Sequence, residues 1–447
     1  MTDELLAVAD RVVAMAAPGE QVEAVVVRGT DTEIKVYGGE VESLSSAQSQ
    51  GVGIRVVVDG KQGFAYAGTL DEAVIAETLA EARDNAGFAT RDPYVGLAEP
   101  DGVAVQELDL FRESLLGFSP DEKVALAVEL ERAVLAADPR ISGIESAEYV
   151  DGVSEAAVAT TTGIRSFGRE TSCYVATYAM ATEGDDTQTG FGFSVGREAS
   201  NLDPGAAAAE AAERATRMLG AVKPPTGRLT VVLDPWVTAQ FLGLLGYTLN
   251  GDAVAKGRSL FADRLGESVA SPLVTLIDDP TDLRAITATD TDGEGLATRR
   301  NVLVRDGVLE MFVHNAESAR RAGTVSTGNA VRGFKSTPDV DCLFLSLKPG
   351  TTDPATLIAG IDDGVLVQEV SGLHSGVNPV SGDFSTGAEG LRIRGGEVAE
   401  PVREFTIAST LQRMLHDVQA VGNDLQFLPM NAAGVSLVVA DVTLSGS

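Results

Sequence analysis

Only three histidines occur in the 447 residues, His314, His374 and His416, and only two cysteines, Cys173 and Cys342. Imidazoles and thiolates are the usual zinc ligands and the usual partners in nucleophilic catalysis, so their scarcity narrows the chemistry at once. A histidine-rich metal centre would need most of these three side chains to converge from distant segments. The sequence carries no HExxH pair, no phosphate-binding P-loop, no GxSxG nucleophile elbow and no GxGxxG opening a helix after a strand. Gly190-Phe191-Gly192-Phe193 contains a GxG, but its surroundings are strand-like and its role is structural. The cysteines lie far apart in apolar, strand-like contexts, in no ligand spacing, and are expected to be buried structural thiols.

What chemistry remains is concentrated in two segments. The first runs from Phe241 to Phe261 and contains Leu249-Asn250-Gly251-Asp252, Lys256 and Arg258. Its charged residues read as a capped helix start with local ion pairs. The second, Ser371 to Ser385, is a glycine-rich polar loop. Its backbone N–H groups and the side chains of His374, Ser375, Asn378, Ser381 and Asp383 could line a peptide groove; the same loop could equally be a turn that packs a β-domain. His314 follows an apolar strand and reads as structural. His416 lies in a helical stretch, Thr410 to Val418, with no evident catalytic partner.

The elements that must position these groups are legible from pattern. An amphipathic helix over about Asp3 to Ala17 precedes a meander of short strands with hairpin turns at Gly38-Gly39 and Asp59-Gly60. Thr69-Leu70-Asp71-Glu72 reads as a capping box opening a helix to about Ala86, and Ser119-Pro120-Asp121-Glu122 opens another to about Ala137. Strands return from Glu148 to Val195, and Asp203-Pro204 starts an alanine-rich helix ending near Gly220. The linker is Val222 to Gly227, where two prolines resist helix and central strand alike. Beyond it come a buried strand, Leu229 to Leu233, a helix starting at Asp234-Pro235, and mostly strands and turns. The fold class is α+β: an N-terminal antiparallel sheet with flanking helices, then a β-rich half built as a sandwich or irregular barrel. The expected domains are 1–222, divisible into about 1–105 and 106–222, and 228–447.

Composition excludes several functions. Lys and Arg total 34 against 65 Asp and Glu, a net charge of −31. Such a surface repels a phosphate backbone, and no basic stripe offsets it, so nucleic-acid binding is not expected. No apolar run reaches the roughly 18 residues of a membrane span. The start of the sequence is acidic where a secretory signal would be basic. A cytoplasmic, soluble protein is expected.

Both polar segments resemble signatures of the TldD/PmbA family, also called the modulator of DNA gyrase family. In its catalytic TldD-type subunits the first segment reads approximately HExxxHxLEGD, followed by a Lys and a Ser-x-Phe. The downstream part is present here as Leu249-Asn250-Gly251-Asp252, Lys256 and Ser259-Leu260-Phe261. Alignment on Gly251-Asp252 puts Leu242 and Tyr247 where the two histidine ligands stand and Gly243 where the glutamate base stands. An alkyl group cannot bind zinc, a neutral phenol binds it poorly, and glycine cannot carry a proton. The family's further cysteine ligand also has no counterpart in Pro429-Met430-Asn431-Ala432-Ala433-Gly434. Ligands five residues apart need a distorted helix, since an ideal one separates them by about 140°. Gly243 and Gly246 would permit that distortion, and the Tyr247 ring could fill the emptied site.

The second segment resembles the PmbA/TldE-type form of a family loop. Matches continue at Gly387-Ala388-Glu389-Gly390, Gly395-Gly396-Glu397, Ser326-Thr327-Gly328-Asn329-Ala330 and Val421-Gly422-Asn423-Asp424. The resemblance implies a two-domain fold and a non-catalytic subunit of a heteromeric metallopeptidase acting on small or unfolded peptides. It implies no metal or other cofactor in this chain, zinc being carried by a TldD-type partner, and self-pairing when the chain is alone. The rival readings are an autonomous hydrolase centred on His374 and Asp383, and a homodimeric peptide-binding module.

Overall fold

The computed structural model describes residues 2–447. Its N-terminal half is one antiparallel sheet of β1 (Gln21–Tyr37), β2 (Glu40–Val58), β3 (Lys61–Ala67), β4 (Ile141–Thr160), β5 (Arg165–Glu183) and β6 (Asp186–Gly196). The spatial order is β3-β2-β1-β4-β5-β6. The strands are long rather than short, β2 alone having 19 residues. The predicted hairpin turns form, with Gly38, Gly39, Asp59 and Gly60 all at positive φ. Such turns match the twist of the strands they join.

Alternation along each strand divides the sheet into two faces. Val22, Ala24 and Val26 of β1 pack with Leu5, Val8 and Val12 of α1 (Thr2–Ala14) and with Ile75 and Leu79 of α2 (Glu72–Phe88). Further along the same face, Ile34 and Val36 meet Ala127, Leu130 and Val134 of α3 (Pro120–Ala137). Ala207 and Ala211 of α4 (Pro204–Arg217) complete that cluster. The Ser119 capping box forms as predicted. At α2 the cap is instead Asp71, whose carboxylate accepts from the N–H groups of Ala73 and Val74. The ionised carboxylate lies two residues closer to the helix than the Thr69 hydroxyl, which accepts from Asp71 N instead. Gly190 and Gly192 have the structural role expected of them, because a Cβ at either would overlap the backbone of α4.

The C-terminal half contains a closed barrel. β7 (Gly227–Leu233) runs parallel to β8 (Asp363–Ser371). β8 pairs with β9 (Asp383–Arg394), β9 with β10 (Glu397–Thr410), and β10 with β11 (Leu437–Ser445), all antiparallel. β11 returns to β7 and shuts the ring. Closure leaves no open edge among these five strands. Val231, Val365, Val367, Ile407, Val439 and Leu444 share one apolar cluster with Val237, Phe241, Leu242 and Leu245 of α5 (Pro235–Thr248).

A buried ionic group joins the two halves. Arg55 of β2 donates to Glu23 of β1 at 2.8 and 3.0 Å and to Glu294 at 3.3 Å. Arg332 also pairs with Glu23, and none of the four side chains is more than 2% exposed. Burial raises the Glu23 carboxyl, but Arg55 and Arg332 outweigh it and hold the group below the ordinary glutamate value.

Candidate functional site

α5 is an unbroken α-helix, so the distortion that a ligand pair would need is absent. Leu242 is fully buried in the apolar cluster, whereas Tyr247 is 51% exposed. Gly243 is exposed, with nothing within 4 Å of where a Cβ would stand. The three positions therefore do not converge. Tyr247 points outward and fills no emptied site, because a regular helix turns it away from Leu242. The donor chemistry present does not fit zinc, and among the described residues no three His, Cys, Asp or Glu side chains are grouped to hold a metal ion.

The motif that follows α5 has structural reasons of its own. Asn250 caps the next turn, accepting from Asp252 N and Ala253 N at 2.8 and 3.1 Å. Lys256 pairs with Asp252 at 2.6 Å, the local ion pair expected from the spacing. His314 is buried beside Gly251, its Nδ1 3.1 Å from Ser318 Oγ, and burial lowers its pKa. Thr327 and Asn329 continue a buried polar chain: Thr327 Oγ1 donates to Asn329 Oδ1, and Asn329 Nδ2 donates to Asp278 Oδ2 at 2.6 Å. These polar motif residues are thus used in satisfying one another.

The Ser371–Ser385 loop sits on the surface against the first motif. Leu260 N donates to Pro379 O at 3.3 Å. Asn378 Oδ1 accepts from Val380 N and Ser381 N, and Asp383 accepts from Ser381 Oγ at 2.7 Å. Ser375 Oγ donates to Gly372 O. His374 is exposed on the short Leu373–Gly376 turn and makes no hydrogen bond among the described residues. His374 and Asp383 therefore form no hydrogen-bonded dyad, and the loop is a self-tied turn.

A cleft of about 650 Å³ lies elsewhere, between the sheet and the C-terminal half. One wall is the helix-free face of the sheet, with Val25, Val27, Ser154 and Ala156; the other is built by the 286–293 segment and Arg332. Three carboxylates without an ion-pair partner among the described residues line this space: Asp292, and the pair Glu170 and Asp290. Burial raises both, and Asp290 pushes Glu170 further while Arg197 opposes. Asp292, in the same wall, is pushed up to about 7, first by burial and then by Glu294. Arg332 is buried with Nε and Nη2 lacking hydrogen-bond partners among the described residues. None of the described residues that line the cleft is a histidine. The one thiol there, Cys173, is pushed up to about 12 by burial and stays protonated. A serine without an adjacent base and a protonated thiol are not activated nucleophiles. Glu170, Asp290 and Arg332 carry no motif in the sequence; only folding places them together.

Residues 226–446 match the PmbA/TldA metallopeptidase C-terminal domain, 113–219 its central domain and 22–86 its domain 1. The metalloprotease PmbA of Escherichia coli O157:H7 is 29% identical over 407 residues, covering 90% of this chain and 88% of that protein. A metalloprotease of Methanothermobacter thermautotrophicus is 30% identical over 410 residues, covering 88% and 86%. The chain belongs to the PmbA/TldD family. The crystal structure of TldE from Thermococcus kodakarensis has the same fold, with a TM-score of 0.89 over 99% of both chains at 24% identity. The chain is of mixed α and β structure, with strands of its β-rich C-terminal part closed into a barrel. No helix among the described residues is long and apolar enough to cross a membrane.

Proposed function

We propose that this chain is a non-catalytic subunit of a zinc-dependent peptidase, holding small or unfolded peptides while a TldD-type partner supplies the metal. One observation carries the reading: Leu242, Gly243 and Tyr247, which alignment on Gly251-Asp252 sets at the ligand and base positions of the TldD-type motif, lie on a regular helix and offer no donor set. A catalytic zinc needs three protein ligands and an open position for water. The cleft supports the peptide-holding half of the proposal. A sheet face with serine hydroxyls, paired with unpartnered carboxylates and a volume of about 650 Å³, suits an extended polar chain.

The test uses the purified chain, washed with a chelator. Elemental analysis should find far less than one zinc per chain, and an unfolded peptide should be cut only after a TldD-type subunit is added. Asp290→Lys in this chain should slow that cutting without altering its own thermal unfolding by more than a few degrees. Zinc-dependent cleavage by the chain alone would overturn the proposal, and the autonomous hydrolase would take its place.

A further inference from the structure

Aromatic residues make up only 5% of the chain, yet its single tryptophan, Trp236, stands in a group of four rings. Tyr178 of β5 and Phe191 of β6 are partners across the ladder, with ring centroids 4.8 Å apart. Trp236, in the first turn of α5, lies 5.5 Å from Phe191 and 5.6 Å from Phe193. The group sits where β6, the edge strand of the N-terminal sheet, meets the barrel. It is not closed over as a core would be: none of the four residues is fully buried, and Tyr178 is 43% exposed. Tyr178, Phe191 and Trp236 line a pocket of about 80 Å³, which shares no lining residue with the cleft beside Arg332.

Two carboxylates complete the wall of this pocket. Glu369 of β8 and Glu389 of β9 are direct partners across the ladder, where like charges repel. A bulge puts them there. Val365 and Val367 point into the barrel, and a regular strand would send residue 369 after them. Gln368 is left without a partner, which turns Glu369 outward beside Glu389. The nearby arginines are committed elsewhere, Arg403 to Asp186 at 3.3 Å and Arg214 to Glu210 at 3.0 Å and Asp234 at 3.7 Å. Burial raises the Glu389 carboxyl and Glu369 raises it further, while Arg403 opposes.

Ring faces carry negative potential and attract cations, and two opposed carboxylates without an ion-pair partner among the described residues call for the same charge. A planar guanidinium meets both demands. It stacks flat on a ring while its fork of N–H donors reaches two carboxylates, whereas an ammonium is a point charge with no face to stack. The small volume suits such a head group and excludes a whole folded partner.

We propose that this pocket binds a guanidinium group, stacked on the Trp236 and Tyr178 rings and hydrogen-bonded to Glu369 and Glu389. Its carrier is an arginine side chain in a peptide or a small free guanidine, and the two are separable in one titration.

Trp236 emission reports on the pocket in the intact chain, there being no other tryptophan. Ethylguanidinium and the blocked tripeptide acetyl-Ala-Arg-Ala-amide should change that emission saturably, with dissociation constants on the order of 0.1–1 mM. Calorimetry on the same solutions should return the same constants. Glu389→Gln should weaken binding about tenfold or more, and Tyr178→Ala about 3- to 30-fold. Glu369→Gln should also weaken binding, yet without ligand it should unfold at the same or a higher temperature than the parent, because it removes a like-charge contact. Tighter binding of the tripeptide than of ethylguanidinium assigns the site to peptide arginine; the reverse assigns it to a small guanidine. Absence of a saturable change with either probe would overturn the proposal. So would equal binding of acetyl-Ala-Lys-Ala-amide, or binding that survives both Glu369→Gln and Glu389→Gln unchanged, since each would reduce the effect to general attraction by an acidic surface.

Discussion

The imidazole of His314 fills the space that a side chain at Gly251 would need. The glycine of the Asn250-Gly251-Asp252 motif is therefore required by packing, whatever chemistry the motif serves in catalytic relatives. Gly251→Ala should lower stability by about 1–3 kcal/mol, the usual cost of overpacking. Adding His314→Ala should recover part of that loss. Urea unfolding of the two single variants and the double variant measures the coupling, and strictly additive losses would show that the ring and the glycine do not constrain each other.

Glu23 lies between Arg55 and Arg332, in the group that joins the two halves. Glu23→Gln leaves two buried guanidiniums short of a counter-charge and should cost about 3–5 kcal/mol at neutral pH, as breaking a buried ion pair usually does. The Glu23 carboxyl is held below the ordinary glutamate value. Its stabilisation is therefore complete above the unfolded value, about 4.3, and is lost as pH falls through the lowered folded value. The stability gap between parent and Glu23→Gln should narrow over that acid range. Urea unfolding at a series of pH values measures the gap, and one that stays constant into acid would count against this role.

Asp234 caps α5 through Val237 N at 2.9 Å, and burial pushes its carboxyl up to about 6. A folded state that keeps a proton the unfolded chain has lost becomes less stable as pH rises from about 4 to about 6. Asn can cap as well as Asp and carries no charge. Asp234→Asn should flatten that part of the stability profile and be more stable at neutral pH by on the order of 1–3 kcal/mol. Chemical denaturation on either side of this pH window checks both the slope and the sign.

Leu242 and Tyr247, five residues apart, should behave as unrelated positions. Leu242→Ala should cost about 2–5 kcal/mol through the cavity it leaves. Tyr247→Ala should stay within about 0.5 kcal/mol of the parent. The double variant Leu242→His, Tyr247→His should bind zinc no more tightly than the parent, because the helix aims the two rings apart. Zinc titration by calorimetry decides this, and stoichiometric binding by the double variant would mean that α5 distorts to accept metal.

Several features were legible in the sequence because they are local. The turns at Gly38-Gly39 and Asp59-Gly60, the Ser119 capping box and the Asp252–Lys256 ion pair depend on residues within four positions of each other. The α2 cap went to Asp71 rather than Thr69 because the helix starts two residues later than a Thr69 box supposes, Asp71 accepting from Ala73 N and Val74 N while Thr69 accepts only from Asp71 N. For the Ser371–Ser385 loop the sequence left a groove and a packing turn both open; in the structure Asn378, Ser381 and Asp383 bond within the loop as a turn does.

The sequence by itself determined the family, the alternation of strands and helices, and that no imidazole, thiol or carboxylate stands at positions 242, 243 and 247. Those are statements about residue type, and residue type does not change on folding. Only the tertiary structure decided where the cleft beside Arg332 lies, that Glu23 and Arg332 meet across 309 positions, and that half of β2 is left open. Each of these depends on how far one layer reaches over another. Alternation marks which face of a strand is apolar, but not where its covering helix stops.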